Sequence, residues 1–149
     1  MYLIRNSILC FLIILTLGCL KGHGTDLKKY VWKNRILLII DNSENQFTYD
    51  KQVVNLGDFN KEFTERKLLI FRVNRTRLEI LNSENSKPFE NHDLWDRYNQ
   101  RGDSFRLILI GLDGGVKLNQ STIINRKTLF SIIDSMPMRR SELRNNRTN

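Results

Sequence analysis

Two adjacent arginines near the carboxyl end, Arg139 and Arg140, carry the strongest chemical signal in this chain. A pair of guanidinium groups presents planar forks of donors that suit carboxylate, phosphate or sulfate. The pair follows Met136 and Pro137, which predict an apolar plug and the end of a helix. A second interpretation is structural, because Asp134 could pair with either arginine around Pro137 and close the domain. Arg139 and Arg140 are therefore candidate binding residues, with an ion-pair clasp as the alternative.

Other candidates for catalysis or ligand binding have simpler explanations. His92-Asp93 has the composition of an acid–base pair, but no nucleophile lies nearby, and two exposed polar residues are the plainer interpretation. Asp113-Gly114-Gly115 could bind a phosphate through exposed amides, yet a hairpin turn already accounts for these residues. With His23 as the other histidine, a zinc site would need carboxylates to complete it. We therefore expect no catalytic residue, no metal site and no cofactor.

Cysteine usage excludes several classes of protein. The chain has two cysteines, Cys10 and Cys19, and both precede the segment that is expected to fold. The folded domain can therefore have no disulfide, no thiolate metal site and no cysteine nucleophile. Thiol-dependent reductase and peroxidase activities are excluded on the same ground.

Residues 1–24 have the organisation of an export signal. Arg5 gives a positive start, and the apolar run Ile8–Leu17 is roughly ten residues long, whereas a membrane-spanning helix needs about twenty. Thr16-Leu17-Gly18-Cys19 resembles a bacterial lipobox, which predicts cleavage before Cys19 and lipidation of its thiol. One alternative is cleavage at the end of this segment and a soluble secreted protein, and another is an uncleaved segment that stays as an anchor. All three routes predict an extracytoplasmic domain, and the first predicts a bacterial envelope lipoprotein that faces the periplasm.

The charge of the chain indicates what kind of partner to expect. Its formal net charge is +8, which favours acidic partners but does not determine a fold. We expect an envelope protein or an anionic ligand as partner, contact with the membrane through lipidated Cys19, and no nucleic acid.

Apolar runs predict buried strands on either side of a helix in the first half of the chain. The runs are Arg35–Asp41 and Lys67–Val73. Between them, apolar residues recur every three or four positions from Tyr49 to Phe63, which predicts one long helix that Gly57 weakens without breaking. Strand, helix and strand form a right-handed βαβ unit, so the two strands should be parallel.

A hairpin is predicted in the second half of the chain. Phe105–Ile110 is the first strand, Asp113-Gly114 favours a tight turn with both residues at positive φ, and Val116–Leu118 returns beside it. Leu78–Leu81 is a short edge segment, and a second helix from Glu90 to Arg101 joins the halves. The predicted fold class is α/β and thioredoxin-like, with βαβ plus ββα around a central mixed sheet.

The last helix completes the ββα unit. Asn125 is suited to cap its amino end, and Pro137 ends it near Ser135. Met138 is expected to be a second apolar plug beside this end. The residues that follow Met138 should fray, and 143–149 should form a basic disordered tail.

Four segments carry a family resemblance: Trp32-Lys33-Asn34-Arg35, Glu65-Arg66-Lys67, Leu109-Ile110-Gly111-x-Asp113-Gly114-Gly115-Val116-Lys117-Leu118 and Ile133-Asp134-Ser135-Met136-Pro137-Met138-Arg139-Arg140. Together they resemble extracytoplasmic thioredoxin-like domains of unknown function. Such domains occur as bacterial stand-alone proteins and in animal sushi-repeat and coiled-coil-domain-containing secreted matrix proteins. The resemblance covers residues 27–142 and implies a fold and a location but no reaction. The structural motif residues that it marks are Trp32, Arg35, Asp113, Gly114, Gly115, Met136 and Pro137.

The resemblance also shows what this chain lacks. Thioredoxins carry their reactive cysteine just after the first strand, where this chain reads Asp41–Asn45, and a cis-proline where it reads Arg101–Ser104. We therefore predict a non-catalytic, redox-inactive binding or structural module of the cell envelope. One alternative is a thiol-independent enzyme that uses His92 and nearby carboxylates. Another is an accessory domain that holds a substrate for the cysteines of a second protein.

Overall fold

The computed structural model describes residues 27–42, 46–83, 88–90 and 93–145, in which a six-stranded mixed sheet forms the centre of the protein. The strands are β1 (Arg35–Asp41), β2 (Leu68–Val73), β3 (Arg77–Ile80), β4 (Phe89–Glu90), β5 (Phe105–Ile110) and β6 (Val116–Gln120). The helices are α1 (Gln46–Leu56), α2 (Lys61–Glu65), α3 (Asp93–Tyr98), α4 (Arg126–Ser135) and α5 (Pro137–Asn145). A short 3-10 turn, Leu27–Tyr30, precedes β1.

The order of the strands confirms the predicted fold class. The sheet runs β4-β3-β2-β1-β5-β6; β1 and β2 are parallel, and the neighbours β1–β5, β5–β6, β2–β3 and β3–β4 are antiparallel. β1, α1 and β2 form the βαβ unit, and β5, β6 and α4 form the ββα unit. The protein therefore has a mixed α/β fold that is consistent with the thioredoxin-like arrangement.

Apolar side chains pack on both faces of the sheet, because successive strand residues point to opposite sides. One face packs against α1, α2 and α4 through a cluster that includes Leu37, Ile39, Leu107, Phe63 and Leu129. The other face packs against α3 through a cluster that includes Ile36, Leu38, Ile108, Leu94 and Trp95. Every residue of β1 is buried as a result, including the charged Arg35 and Asp41 at its two ends.

The long helix predicted across Gly57 is two helices. α1 ends at Leu56, and α2 begins at Lys61. Gly57 has φ +64°, a left-handed conformation that ends a helix and that glycine adopts without strain. Asn60 then caps α2 by accepting a hydrogen bond from a backbone amide. The prediction of one helix was wrong because both helices pack on the same face of the sheet, so the apolar period continues across the break.

The turn between β5 and β6 is longer than the predicted two-residue turn. Residues 111–115 connect the strands; the amide of Gly114 donates to the Gly111 carbonyl, and the amide of Gly111 donates to the Gly115 carbonyl. Gly114 has φ +78°, but Asp113 does not have positive φ. The predicted turn type was therefore wrong, because the hydrogen bonds that close the connection join Gly111 to Gly114 and Gly115.

The connecting helix is also shorter than predicted. α3 spans Asp93–Tyr98, and Glu90 lies in β4, which pairs with β3. Among the described strands β4, and not the predicted β3, therefore lies at that edge of the sheet. The chain turns after α3 because Asn99 exchanges two hydrogen bonds with the backbone of Asp103.

The helix cap predicted at Asn125 is confirmed. Its side chain accepts a hydrogen bond from the amide of Thr128 at 2.8 Å, and α4 ends at Ser135 as expected.

The chain does not fray after Met138. Pro137 begins α5, which continues to Asn145, so the predicted frayed segment and the first residues of the predicted tail are helical. Proline is well suited to the first turn of a helix, because the amide that it lacks would have no partner there. Met136 joins α4 to α5 in an extended conformation, with ψ 138°. Pro137 thus ends one helix and begins the next.

Candidate functional site

Three of the four motif segments meet at one end of the sheet. Ile36 at the start of β1 lies opposite Ile110 at the end of β5, so the turn after β5 lies beside the beginning of β1. The junction of α4 and α5 completes a groove of about 270 Å³. We call this the motif groove; it is lined by Arg35, Gly111, Leu112, Asp113, Lys117, Met136, Pro137 and Met138.

Trp32, whose backbone contacts a residue of the motif groove, has an unusual conformation and a solvent-exposed side chain. Its φ is +64°, in the left-handed region that a bulky aromatic residue rarely adopts. Its amide donates a hydrogen bond to the carbonyl oxygen of Leu112, which lines the groove, at 2.7 Å. The side chain is 66% exposed. Strained backbone that is held by its surroundings and a large exposed aromatic ring are both typical of binding sites.

The turn that borders the groove is stabilised by its own side chains. The carboxylate of Asp113 pairs with Lys117 at 2.6 Å and accepts a hydrogen bond from the Gly115 amide at 3.0 Å. These hydrogen bonds, the one from Lys117 above all, lower the pKa of Asp113. A β-carbon on Gly114 would lie 3.2 Å from the Val31 side chain, so the turn also packs against the segment before β1. Because Asp113 already occupies the Gly115 amide, the turn interpretation of this motif accounts for the geometry better than a phosphate site.

Arg35 is the buried cation of the motif groove. Its side chain is fully buried at the start of β1. Nη1 donates to the Arg66 carbonyl at 2.8 Å and to the Glu142 carboxylate at 3.3 Å. Nε and Nη2 have no hydrogen-bond partner among the described residues. Met138, on the groove wall, is 39% exposed, so it is not the second apolar plug that the sequence predicted.

The two candidate binding residues lie in different environments. Arg139 is only 5% exposed; its guanidinium donates to Asp134 at 3.3 Å, to the Glu65 carbonyl at 2.8 Å and to Glu142 at 3.2 Å. The adjacent Arg140 is exposed. Successive residues of a helix point in directions about 100° apart, so one arginine faces the domain and the other faces solvent. The structure forms the alternative ion-pair clasp at Arg139 and does not present the two guanidinium groups side by side.

Glu142 connects the clasp to the motif groove. Its carboxylate contacts both Arg35 and Arg139, and it lies 3.6 Å from Lys67. Burial raises the pKa of Glu142, but the charge of Arg35 and the hydrogen bonds from Arg139 and Arg35 outweigh burial and lower it. Sequence reasoning did not find this residue, because nothing in the local pattern of α5 distinguishes it from a solvated glutamate.

The end of β1, where thioredoxins carry their reactive cysteine, holds an ion pair. Asp41 is buried and pairs with Arg72 of β2 at 2.9 Å, and the guanidinium of Arg72 stacks on the Tyr49 ring at 3.7 Å. Burial lowers the pKa of Arg72, but the hydrogen bond and the charge of Asp41 outweigh burial and raise it. Burial also raises the pKa of the Tyr49 hydroxyl. The sequence did contain a signal for this pair: Asp41 ends one apolar run, and Arg72 lies inside the other.

Several predicted features lie outside the described residues. They are the export signal with Cys19, His23, the residues Ser43–Asn45 that follow β1, His92, and residues 146–149. Within the described part of the chain, no three histidine, cysteine or acidic side chains are grouped closely enough to hold a metal ion. None of the helices described there is both long and apolar enough to cross a bilayer.

Comparison with known proteins gives one result. No curated protein and no solved structure matches this chain. A family described as a domain of unknown function, DUF4174, matches residues 26–142, which include the motif groove and the clasp. The chain therefore belongs to the DUF4174 family of domains of unknown function.

Proposed function

We propose that this chain is a non-catalytic, redox-inactive binding module of the cell envelope, and that its motif groove binds an acidic segment of a partner protein. The convergence of three distant segments on one surface groove is the observation that carries the proposal. The groove combines apolar side chains, an exposed tryptophan beside it and a buried cation. The apolar and aromatic side chains favour apolar residues of a peptide, and the buried cation favours a carboxylate between them.

The apolar part of the groove is suited to protein contacts. Leu112, Met136, Pro137 and Met138 are the apolar residues that line it. Methionine side chains adapt to different partners because they are unbranched and polarizable. Trp32, whose amide donates to the Leu112 carbonyl, adds a large exposed aromatic side chain, and aromatic residues and methionine are enriched in the centres of protein interfaces.

The charged part of the groove determines the partner chemistry that we propose. Nε and Nη2 of Arg35 lie on one edge of the guanidinium, so together they can bind both oxygens of a carboxylate. A buried donor without a partner costs about 1–3 kcal/mol, and a partner carboxylate would remove this cost. The side chains of Met136 and Met138 would have to move aside, which their flexibility permits.

Peptide binding tests this proposal directly. The probes are fluorescent acetylated hexapeptides with one Glu between Leu residues, and the same peptides with Gln in place of Glu. We expect the full chain to bind the Glu peptides at least tenfold more tightly. Met138→Asp should abolish binding by adding a negative charge to the groove wall. Val54→Asp is the matched control, because Val54 is 76% exposed on α1, away from the groove.

Two results would contradict the proposal. One is equal binding of the Glu and Gln peptides, because Arg35 would then have no role in recognition. The other is equal loss of binding in Met138→Asp and Val54→Asp, because the effect would then be general charge repulsion. Circular dichroism and thermal unfolding of both variants show whether each remains folded.

The proposed location rests on the export signal and is tested separately. We propose that cleavage before Cys19 leaves a lipidated amino terminus that tethers the domain on the outer side of the cytoplasmic membrane. Metabolic labelling with a fatty-acid analogue should mark the wild-type chain and not Cys19→Ala. An unlabelled wild type whose amino terminus is Thr25 would instead be a soluble secreted protein.

A further inference from the structure

A second cleft, on the opposite face of the sheet from α1 and α4, has a different chemistry. It lies between the end of α3 and the strands β5 and β6, and it encloses about 410 Å³. We call it the arginine cleft; it is lined by Arg97, Tyr98, Gln100, Arg101, Arg106, Ile108 and Asn119. It shares no lining residue with the motif groove.

Arg106 lines this cleft and is held by hydrogen bonds to its neighbours. It is buried, and its guanidinium donates to Asn119 at 2.5 Å and to the carboxylate of Asp103. Ser121 and Asn99 hold Asp103 in place in turn, through its side chain and its backbone respectively. The Nε of Arg106 has no partner among the described residues.

Arg97 and Arg101 give the cleft its excess charge. Both are exposed, and neither forms an ion pair with an acidic residue in the described part of the chain. Of the described residues, three arginines and no acidic residue line the cleft, so even with Asp103 subtracted the local charge is 3 − 1 = +2. Like charges around one cleft repel each other, and a bound anion would relieve this repulsion.

We infer that the arginine cleft binds a phosphate or sulfate group. Guanidinium groups bind such oxyanions through paired hydrogen bonds, and three of them around one cleft suit a doubly charged tetrahedral group. Tyr98, Gln100 and Asn119 add neutral polar groups, and among the described residues of the lining Ile108 alone is apolar. This composition favours a compact polar anion over an apolar peptide. The inference does not depend on the function proposed for the motif groove.

Titration calorimetry with inorganic phosphate and sulfate tests the inference on the purified full chain. We expect saturable binding that Arg97→Gln with Arg101→Gln weakens at least tenfold. The control is Lys127→Gln with Arg140→Gln, which removes the same charge from exposed positions outside the cleft. Arg97→Lys with Arg101→Lys should retain part of the affinity. Arg106 is left unchanged, because its substitution would disturb the Asp103 loop.

A second set of measurements distinguishes a free anion from a lipid headgroup. The full chain with Cys19→Ala, which removes the proposed lipid, is mixed with phosphatidylcholine vesicles that contain or lack phosphatidic acid. One outcome is that the chain binds only the acidic vesicles and that the Arg97 and Arg101 double variant loses this binding. This outcome assigns the cleft to a headgroup. Saturable binding of inorganic phosphate or sulfate assigns it to a soluble ligand. No saturable binding of any probe, or an equal loss in the control double variant, would overturn the inference.

Discussion

Arg139 and Arg140 are neighbours in the chain, but they have different roles in the structure. The guanidinium of Arg139 is buried and joins α5 to Asp134 of α4 and to the Glu65 carbonyl. Arg140 is the next residue of the same helix, and its side chain is exposed. A buried charge that loses its partners is costly, whereas an exposed charge is solvated wherever it points.

Replacing each arginine separately measures this difference. We expect Arg139→Ala to lower the free energy of unfolding by about 3 kcal/mol, because Glu142 and Asp134 each lose a partner. Arg140→Ala should change it by less than about 0.5 kcal/mol, as is usual for an exposed surface position. Urea unfolding followed by circular dichroism gives both values. Equal effects of the two substitutions would show that Arg139 is solvated and that the clasp does not form.

At the scale of elements, Gly57 separates α1 from α2 and lies against a side chain from α4. Arg126 of α4 donates to the carbonyls of Leu56 and Asp58, on either side of this glycine, at 2.5 and 2.6 Å. A β-carbon on Gly57 would lie 2.8 Å from Nη2 of Arg126. The break in the helix is therefore a docking point for α4 as well as a change of direction.

Gly57→Ala and Gly102→Ala make a matched pair of substitutions. Both glycines have positive φ, so each alanine costs about 1–2 kcal/mol in backbone strain. A β-carbon on Gly102 meets nothing within 4 Å, whereas one on Gly57 displaces the Arg126 guanidinium. We expect Gly57→Ala to be more destabilising by about 1 kcal/mol, the value of one lost hydrogen bond. Thermal unfolding of both variants checks this, and equal losses would mean that Arg126 moves without cost.

At the scale of the whole molecule, Glu142 closes the domain by joining its first strand to its last helix. The carboxylate of Glu142 contacts Arg35, which lies 107 positions earlier in the chain. Its lowered pKa means that the folded protein favours the ionised form more than the unfolded chain does. The stability that this carboxylate contributes is therefore complete above its ordinary pKa of 4.5, and it is lost as the pH falls through the lower folded value.

Acid titration of Glu142→Gln measures this contribution. At pH 7 we expect the variant to be less stable than wild type by about 3 kcal/mol, because Arg35 and Arg139 lose a shared partner. The difference should shrink as the pH falls below about 4.5, where wild type loses the same charge. Glu65→Gln removes a half-exposed carboxylate and controls for the general rise in positive charge. A difference that stays constant from pH 7 to pH 3 would contradict the role of Glu142.

The sequence by itself determined the fold class and placed both cysteines before the folded residues. Strands and helices follow from runs of apolar residues and from their periodic spacing, which are local properties of the chain. The positions of the two cysteines can be read directly from the sequence. The predicted ends of helices and strands were less accurate than the predicted fold class. Gly57 was predicted to weaken a helix, but it ends α1. Pro137 was predicted only to end a helix, but it also begins α5. Both errors concern how neighbouring helices pack, which local patterns do not contain.

Only the tertiary structure decided which charged residues come together. Arg139 and Arg140 have the same local chemistry, and their difference arises from Glu65, Asp134 and Glu142, which come together through folding. The arginine cleft likewise combines residues from α3, β5 and β6 that share no sequence motif. The energy of a charged side chain depends on its burial and on partners distant in sequence. A pattern of neighbouring residues therefore identifies an arginine but not its environment.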